Sequence, residues 1–325
     1  MLKSSNLNFD KMDELSHQKV PFFFMIDFLA EKVEVYNESE LKENGLCIDF
    51  PNFKNTYFEE VQKKEVRLQS FPESKKDYKK GFYTVQKNLK AGNSYLTNYT
   101  CKTEIEININ LKEVFYRSTS KYKVLYQDQF VFFSPETFIE IIDNEIFTQP
   151  MKGTIDAEKD NAIEVLKNDV KEKAEHYTVV DLLRNDLSIV ANTVKVKKFQ
   201  RIDFIKTNKK NLYAMSSEIS GIMKPEFQNK MGSILKALLP AGSILGAPKA
   251  KTLEIIREAE TYDRGFYTGV CGWFDGKNLD SCVMIRFIEK ENGKLYFKSG
   301  GGITHLSNFA DEYQEMKNKI YVPIH

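Results

Sequence analysis

The sequence predicts an α+β protein whose strands pair antiparallel. Short runs of alternating or apolar residues recur along the chain, and several neighbouring runs are separated only by turn residues such as Asp143-Asn144 and Asp275-Gly276. Turns this short join antiparallel strands, because a parallel pair needs a long crossover connection. Helical patterns stand between groups of strands rather than after every strand, which favours α+β over a βαβ architecture.

The first half of the chain is predicted to hold one helix and a series of strands. Residues 1–80 contain two short strand-like segments, PFFFMIDF and KVEVYN, and no recognisable chemistry. An amphipathic helix is predicted at 81–89, with Phe82, Val85 and Leu89 on one face. The strand-like segments that follow are AGNSYLTNYTCKTEIEI and the meander FVFFS, TFIEII and EIFTQP.

The second half is predicted to alternate helices with longer strands. Helical patterns at 157–187 are split near Asn168 and Asp169, either of which could cap the second helix. A strand is expected at 212–223 and a helix at 226–238, and Pro248 suits the first turn of the next helix. Three strand runs, YTGVCGWF, LDSCVMIRFIE and KLYFKSG, then lead through three glycines into a final helix.

The composition argues against several classes of protein. Among 325 residues, 47 basic side chains balance 46 acidic ones, and a net charge of +1 offers no electrostatic footprint for nucleic acid. The most apolar early stretch, residues 20–30, is interrupted by Asp27 and is too short to span a membrane. No signal-peptide layout precedes it. The four cysteines lack CxxC spacing, so we expect buried thiols in a cytoplasmic protein.

Two carboxylates share the core-directed face of the helix predicted in KEKAEHYTVVDLLRND. Glu172 and Glu175 lie three residues apart, and about 100° of rotation per residue places them on the arc that holds Val179 and Leu183. Carboxylates on an apolar face lose hydration and repel each other unless a cation or a proton offsets the charge. This placement predicts a functional site.

The same arrangement recurs near the end of the sequence, where Glu312, Glu315 and Lys319 lie at i, i+3 and i+7 of one helical face. A single Glu-x-x-Glu motif is typical of a solvated helix surface. Two such helices beside Gly-rich and Lys-bearing turns instead favour four carboxylates around one hard cation. Oxygen ligands in that number suit Mg²⁺.

Several other polar residues have an open role on the sequence alone. Gly300, Gly301 and Gly302 stand between a strand and a helix, where consecutive amides can form a nest for a carboxylate or simply a tight turn. Arg286, in the strand run VMIRFIE, can grip a carboxylate if it faces inward and is surface if it faces outward. Lys152, in a Pro-x-Lys-Gly-Thr turn, is equally open.

Taken together, the motifs resemble the chorismate-utilising enzymes, a family that includes anthranilate synthase large subunits, aminodeoxychorismate synthase component I, and isochorismate and salicylate synthases. The resemblance implies an anthranilate-synthase-like α+β fold, in which two packed antiparallel sheets carry helices on the outside. We therefore expect one chorismate-binding domain over 1–325, with a short variable part at 1–80 and the catalytic core at 81–320. The motifs that carry the resemblance, in the family's order, are GNSYLTNYT, SPETF, QPMKGT, AEHYTVVDLLRNDL, LLPAGSILGAPKAKTLEIIREAE, RGFYTGVCGWF, MIRF and SGGGI-to-DEYQEMKNK.

The resemblance also implies roles for individual residues. Glu175 and Glu315 match direct Mg²⁺ ligands, and Glu172 and Glu312 match neighbours that reach the metal through water. Glu136 matches the general acid near the C4 hydroxyl of chorismate. The positions that bind substrate carboxylates are matched by Tyr267, Arg286, Gly300, Gly301, Gly302 and Lys319.

Two positions indicate the branch of the family. Leu96 stands where isochorismate and salicylate synthases carry a water-activating Lys, so water addition is not expected. Lys152 stands where anthranilate synthases carry Ala, and a Lys there resembles aminodeoxychorismate synthases, in which it attacks C2 as the C4 hydroxyl leaves. The expected reaction is transfer of an amino group from ammonia to chorismate, giving 4-amino-4-deoxychorismate for p-aminobenzoate and folate synthesis. Anthranilate synthase component I and a non-catalytic chorismate-binding subunit are the alternatives.

The ammonia is expected to come from a separate glutamine amidotransferase subunit, because none of the four histidines stands with a Cys or Ser in a triad arrangement. The chain also departs from the family pattern at two substrate-side positions. Ala214 replaces a histidine, and Leu245 stands where a threonine is usual.

Overall fold

The computed structural model describes residues 2–56, 64–205 and 211–324. Its helices are α1 Leu2–His17, α2 Glu38–Glu43, α3 Lys75–Lys90, α4 Leu111–Arg117, α5 Ala162–Asn168, α6 Val170–Val190, α7 Met231–Leu238, α8 Gly242–Leu245, α9 Lys249–Ala259 and α10 Phe309–Asn318. Its strands are β1 Phe22–Ile26, β2 Val33–Tyr36, β3 Leu46–Asp49, β4 Leu68–Phe71, β5 Leu96–Ile107, β6 Tyr122–Tyr126, β7 Phe130–Ser134, β8 Thr137–Ile142, β9 Glu145–Thr148, β10 Met151–Asp156, β11 Ala191–Ile205, β12 Leu212–Met223, β13 Gly246–Ala247, β14 Val270–Phe274, β15 Leu279–Val283, β16 Phe287–Glu291 and β17 Lys294–Ile303.

The chain divides into two compact units, and each contains one sheet. Unit 1 comprises 1–37, 136–243 and 270–283. Unit 2 comprises 38–135, 244–269 and 284–325. Every strand pairing in the described ranges is antiparallel, which confirms the predicted α+β class. The expectation of one domain over 1–325 stays a prediction.

The sheet of unit 1 runs in the order β10-β12-β9-β8-β15-β14-β1-β2, with β11 added on β12. The segment PFFFMIDF supplies β1, which is buried at all five positions because it lies between β14 and β2. Helix α6 packs on β10, β11 and β12 at the other end of this sheet. The buried face of α6 therefore contacts residues of these three strands.

The sheet of unit 2 runs in the order β13-β5-β17-β16-β7-β6-β3, with β4 added on β5. Helices α3 and α9 pack on β5, and α10 packs on β17. Their shared core contains Tyr78 and Phe82 of α3, Tyr99 of β5 and Met316 of α10. The prediction of an amphipathic helix at 81–89 is confirmed, although α3 begins six residues earlier, after the N-cap Ser74.

The prediction of one continuous strand at 279–289 is wrong. The run breaks between β15 and β16, where Arg286 has a left-handed backbone conformation with φ of 55°. β15 belongs to the sheet of unit 1 and β16 to the sheet of unit 2. Arg286 therefore lies at a bend before β16 rather than inside a strand, and its backbone carbonyl accepts a hydrogen bond from Phe133 N–H.

The described ranges contain no helix that is long and apolar enough to cross a membrane. The four cysteines are free thiols; Cys101, Cys271 and Cys282 are buried, whereas Cys47 is half-buried. The expectation of reduced, mostly buried thiols agrees with this arrangement.

Candidate active site

Lys152 lies on strand β10 rather than in the predicted turn. The register of β10 against β12 shifts between Met151 and Thr154, so Lys152 and Gly153 form an irregularity in the ladder. Gly153 has φ of 79°, a conformation that a residue with a side chain adopts only with strain. The irregularity holds the half-buried Lys152 at a fixed point of the sheet.

Glu172 and Glu175 lie near the start of α6, as predicted. Asp169 caps this helix by accepting a hydrogen bond from Glu172 N–H at 2.9 Å. Both glutamates are half-buried. A Cβ atom placed on Gly153 would come within 2.9 Å of Glu172 Oε2, so only a glycine lets the Lys152 segment approach this carboxylate so closely.

His176, one turn after Glu172, is completely buried between α6 and the sheet. Its Nε2 lies 2.7 Å from Ser217 Oγ on β12. Burial and, to a smaller extent, the positive charge of Lys152 together lower the pKa of His176 to about 4. The imidazole is therefore neutral near pH 7 and lies within the electrostatic reach of Lys152.

Glu136 lies in the short connection between β7 and β8. Its Oε1 accepts a hydrogen bond from Ser243 Oγ at 3.2 Å. The adjacent Gly242 is held against Asp186 of α6, whose Oδ2 would be 2.4 Å from a Cβ atom at that glycine. The residues that follow α7 thus connect Glu136 with the same helix that carries Glu172 and Glu175.

In unit 2, the residues predicted on one face of α10 form a cluster. Lys319 Nζ lies 2.6 Å from Glu315 Oε1 and donates a hydrogen bond to the Gly300 carbonyl at 2.8 Å. Glu312 is 3% exposed and accepts a hydrogen bond from Ser307 Oγ at 2.6 Å. The end of α10 therefore lies directly against the glycines of β17.

The three glycines lie inside β17, so their expected placement between a strand and a helix is wrong. Their partners on β5 are Thr100, Tyr99 and Asn98. Glycine is required for this packing, because a Cβ atom on Gly300 would be 2.2 Å from the Tyr99 carbonyl oxygen.

The ladder decides which glycine amides can bind a ligand. Thr100 N–H donates to Glu260 Oε1 at 2.8 Å, and the Asn98 carbonyl accepts from Arg264 Nη2 at 2.7 Å. Both residues therefore turn their polar backbone groups away from β17, and their antiparallel partners Gly300 and Gly302 turn theirs away from β5.

On the side opposite β5, the described pairing of β17 with β16 ends at Lys298, so β16 does not cover the backbone of the three glycines. Two alternate amides, rather than three consecutive ones, are thus presented at this edge. They are the amides of Gly300 and Gly302.

Gly301 provides a test of whether these carboxylates suit a metal ion. A Cβ atom there would lie 3.2 Å from Glu315 Oε1 and 3.5 Å from both Glu312 Oε2 and Lys319 Nζ. The glycine therefore leaves open a space bordered by two carboxylate oxygens, the donor type that Mg²⁺ prefers, and by the ammonium of Lys319. Within the described ranges, no three His, Cys, Asp or Glu side chains come together closely enough to hold a metal ion. The four-carboxylate magnesium site stays a prediction.

Tyr267 and Arg286 lie in unit 2 and influence each other. Tyr267 is 4% exposed, and burial raises its pKa well above the ordinary value, although the charges of Arg264 and Arg286 oppose this shift. Arg286 is half-buried with its guanidinium 5.4 Å from the ring of Tyr321. Its Nε is buried and has no hydrogen-bond partner among the residues that the structure describes. A buried donor of this kind is suited to an anionic ligand.

Leu96, one of the two positions expected to indicate the branch, and Ala214, where the family has a histidine, are both buried. Leu96, 3% exposed, begins β5 and would place its Cδ1 3.0 Å from a Cβ atom on Gly302. Ala214 lies on β12 opposite Thr154, two residues beyond Lys152. Leu96 therefore adjoins the glycine strand, and Ala214 adjoins the strand that carries the lysine.

His176, Ser217, Ser243 and Ser307 are polar contacts of the candidate site that sequence analysis did not single out. For His176 a signal existed, because about 100° per residue places it beside Leu183 on the buried arc of α6. The three serines carry no such signal, since the glutamates and the histidine that they contact are distant in sequence or lie across a turn.

Comparison with known proteins assigns the family. The family model described as chorismate binding enzyme matches residues 10–325. The chain belongs to the chorismate-binding enzyme family. This assignment confirms the resemblance inferred from the motifs.

Three relatives show how the chain stands within the family. An uncharacterized PabA-like protein from Pasteurella multocida is 48% identical over 313 residues, 96% of this chain and 97% of the relative. Aminodeoxychorismate synthase component 1 from Escherichia coli is 33% identical over 263 residues, 76% of this chain and 56% of the relative. The structure of anthranilate synthase component I from Streptococcus pneumoniae superimposes with a TM-score of 0.67 at 25% identity, covering 89% of this chain and 69% of that one. The fold is thus that of the chorismate-utilising enzymes.

Proposed function

We propose that the protein is aminodeoxychorismate synthase component I, which converts chorismate and ammonia to 4-amino-4-deoxychorismate. The observation that carries the proposal is the placement of Lys152. Lys152 is half-buried on the irregular strand β10, and the next residue, Gly153, lies against Glu172 of α6. A half-buried lysine whose neighbouring residue packs against a carboxylate suits covalent catalysis better than a solvated surface lysine does.

Lys152 acts as the nucleophile in this reaction. Its neutral amine bonds to C2 of chorismate while the C4–O bond breaks, and Glu136 donates the proton with which the C4 hydroxyl leaves as water. Ammonia then bonds to C4 as the bond between C2 and the lysine nitrogen breaks, which restores the free amine of Lys152. The new ammonium at C4 loses a proton, which restores the acid form of Glu136. Ser243, which donates a hydrogen bond to Glu136, orients this acid.

The carboxylates of chorismate would be bound by groups of unit 2. Arg286 offers its buried Nε, Tyr267 its hydroxyl, Gly300 and Gly302 their outward amides, and Lys319 its ammonium. Gly301 contributes the space beside Glu315 that a side chain would fill. Charged and backbone donors of this kind give carboxylates both affinity and orientation.

The metal assignment is part of the proposal. Glu175 and Glu315 would bind Mg²⁺ directly, and Glu172 and Glu312 would reach it through water. When bound, the ion would supply positive charge to the ring carboxylate of chorismate. Substitution of Glu175 by Gln is the change that tests this role, read as the Mg²⁺ concentration that gives half-maximal activity.

Leu96 supports amination over hydration. A leucine has no group that can accept a proton from water, and here it is buried against the glycine strand. The proposal also implies a glutamine amidotransferase partner, since the E. coli relative is named as component 1 of its synthase.

The test is a coupled product assay. The purified full chain receives chorismate, Mg²⁺ and an ammonium salt, followed by aminodeoxychorismate lyase, and the aromatic product is identified by chromatography. The proposal predicts p-aminobenzoate with the ammonium salt and none with glutamine alone, until a glutaminase subunit is added. Anthranilate would instead assign the protein to tryptophan synthesis. Calorimetric binding of chorismate without turnover would indicate a non-catalytic subunit.

A further inference from the structure

The buried face of α6 holds a polar group that the proposed chemistry does not use. The ring of His176 is fully buried, and only its Nε2 has a hydrogen-bond partner, Ser217 Oγ. Its Nδ1 is buried without a partner among the described residues. Leaving such a ring nitrogen unpaired costs stability, so its retention calls for an explanation beyond packing.

Ser217 links this histidine to the strand that carries Lys152. Its N–H donates to the Pro150 carbonyl at 3.0 Å, two residues before the lysine. Its Oγ accepts a hydrogen bond from Gln200 N–H of β11 at 3.1 Å. The serine is therefore held by two neighbouring strands, and it holds His176 in turn.

The lysine segment is also fixed from its other side. Gly153, directly after Lys152, lies against Glu172, and His176 follows Glu172 by four residues on the same face of α6. The charge of Lys152 acts on the His176 ring. One helix and one serine thus bracket the segment that carries Lys152, and the same helix and serine hold the His176 ring.

The tautomer decides what Nδ1 can do. Ser217 Oγ can accept hydrogen bonds from both Gln200 N–H and His176 Nε2–H, because a hydroxyl oxygen has two lone pairs. In the tautomer with this arrangement the proton is on Nε2, and Nδ1 presents a lone pair. This lone pair can accept a hydrogen bond from an N–H group of a nearby amine. That hydrogen bond fixes the direction in which the lone pair of the amine points.

We propose that His176 is a positioning residue for Lys152, with Nε2 donating to Ser217 and Nδ1 accepting a hydrogen bond from the lysine amine as it attacks. The inference rests on the proposed function and deepens it. The contact selects one orientation of the long, flexible lysine side chain. Without it, the side chain would lose its rotamer freedom only in the transition state. The histidine touches no reacting atom itself.

The experiment replaces His176 by two amides, each of which keeps a polar group near one of the two ring nitrogens. His176→Asn can keep a polar atom near the place of Nδ1 and loses the contact with Ser217, whereas His176→Gln reaches Ser217 and loses Nδ1. We expect His176→Gln to lower kcat for 4-amino-4-deoxychorismate by about 100-fold with KM for chorismate within about twofold. His176→Asn should restore a large part of kcat even if it melts at a lower temperature.

Ser217→Ala provides a second test that leaves the imidazole in place. Loss of the tether should lower kcat about tenfold, again with little change in KM, because the ring can then turn Nδ1 away. Lys167→Ala, an exposed change in α5, serves as the matched control with unchanged kcat.

The outcomes separate the inference from the function on which it rests. If the wild-type protein forms 4-amino-4-deoxychorismate and His176→Gln is as active as wild type, the positioning role is wrong and the proposed function stands. In a second outcome, the activities of all variants fall in proportion to their melting temperatures, and His176→Gln is the most active variant. That result would assign His176 to packing alone. If the wild-type protein forms no aminated product, the proposed function and the inference both fail.

Discussion

Arg286 was recognised from the sequence as a candidate carboxylate-binding residue, but its position within a strand was predicted wrongly. Its sequence neighbours are apolar, which left an inward and an outward orientation equally open. The structure places it at a left-handed bend, with Nε buried and the guanidinium over Tyr321. A left-handed residue other than glycine is uncommon and often occurs where function requires it.

Replacement of Arg286 by Lys should weaken chorismate binding. Lysine keeps the charge but loses the planar fork, and one lost charge-assisted hydrogen bond costs about 1.5–3 kcal/mol. That loss corresponds to an increase of about 10- to 100-fold in KM for chorismate, measured by steady-state kinetics. Arg257→Lys, an exposed change on α9, is the control and should leave KM unaltered. An unchanged KM in Arg286→Lys would remove Arg286 from the substrate site.

The proposed catalytic residues were identified from motifs, whereas their hydrogen-bond partners were not. Lys152, Glu136 and Glu175 were identified from the order of separated motifs. Ser217 and Ser243 were missed, because each acts across a distance in sequence that no local pattern records. His176 could have been found, since it lies on the same helical arc as the glutamates.

At the scale of elements, Gly301 controls the spacing between β17 and α10. In Gly301→Ala the new methyl group would lie 3.2 Å from Glu315 Oε1, so the carboxylate must move by a few tenths of an ångström. We expect the Mg²⁺ concentration for half-maximal activity to rise about tenfold, since cation sites depend on ligand geometry. Thermal melting should change little, because the moving group is the end of a flexible side chain. Gln314→Ala, on the exposed face of α10, is the control.

If Gly301→Ala and the control give the same Mg²⁺ titration, the carboxylates of α10 do not bind the metal. A fall in melting temperature without any shift in the titration would point to the same conclusion.

Asp49, at the end of β3, contributes stability that depends on pH. Burial would raise the pKa of Asp49, but hydrogen bonds from Lys123 and Lys54 at 2.9 and 3.1 Å outweigh it and lower the pKa below the ordinary 3.8. A lowered carboxyl pKa stabilises the fold above pH 3.8, and this contribution disappears as the pH falls through the lower folded-state value.

Asp49→Asn should therefore lower the free energy of unfolding by about 1 kcal/mol at pH 7, a value discounted for partial exposure. The difference from wild type should shrink as the pH falls below 3.8, measured by urea unfolding over a pH series. Asp128→Asn removes the partner of Lys290 at an exposed turn and should cause no measurable change. A constant difference down to the lowest pH would mean that the Asp49 charge is not the cause.

Secondary structure was predicted well where apolar periodicity was clean and poorly where it was not. The helix α1 was missed because its buried face mixes Phe9 and Met12 with the buried Ser5 and Ser16. Serines on a packed face hide the helical period. They suit close packing: the backbone of α1 approaches α7 so closely that a Cβ on Gly232 would be 1.9 Å from the Phe9 carbonyl.

For the whole molecule, the antiparallel α+β class was predictable and the division into units was not. Each unit is assembled from three separate stretches of chain, and a single apolar run supplies both β15 in one sheet and β16 in the other. Arg286 stands at the break, but one charged residue among apolar ones is equally compatible with a continuous strand. Only the tertiary pairing of its two halves, with β8 and β14 on one side and with β7 and β17 on the other, reveals it.

The motifs for chemistry are divided between the units as well. Lys152, Glu136 and Glu175 belong to unit 1, whereas Arg286 and Glu315 belong to unit 2. The family model nevertheless matches the chain across both. The family could be recognised from the sequence because the order of the motifs is unaffected by how the chain is divided in space.

The most direct test of the central claim compares Lys152→Ala with wild type in the formation of 4-amino-4-deoxychorismate from chorismate and ammonium. The full chain is used at saturating Mg²⁺, Lys167→Ala serves as the control, and chorismate binding is measured by calorimetry in all three proteins. A lysine that forms a covalent bond with C2 predicts that Lys152→Ala still binds chorismate while its amination rate falls by about a thousandfold or more. Amination by Lys152→Ala within a few-fold of wild type would contradict the account.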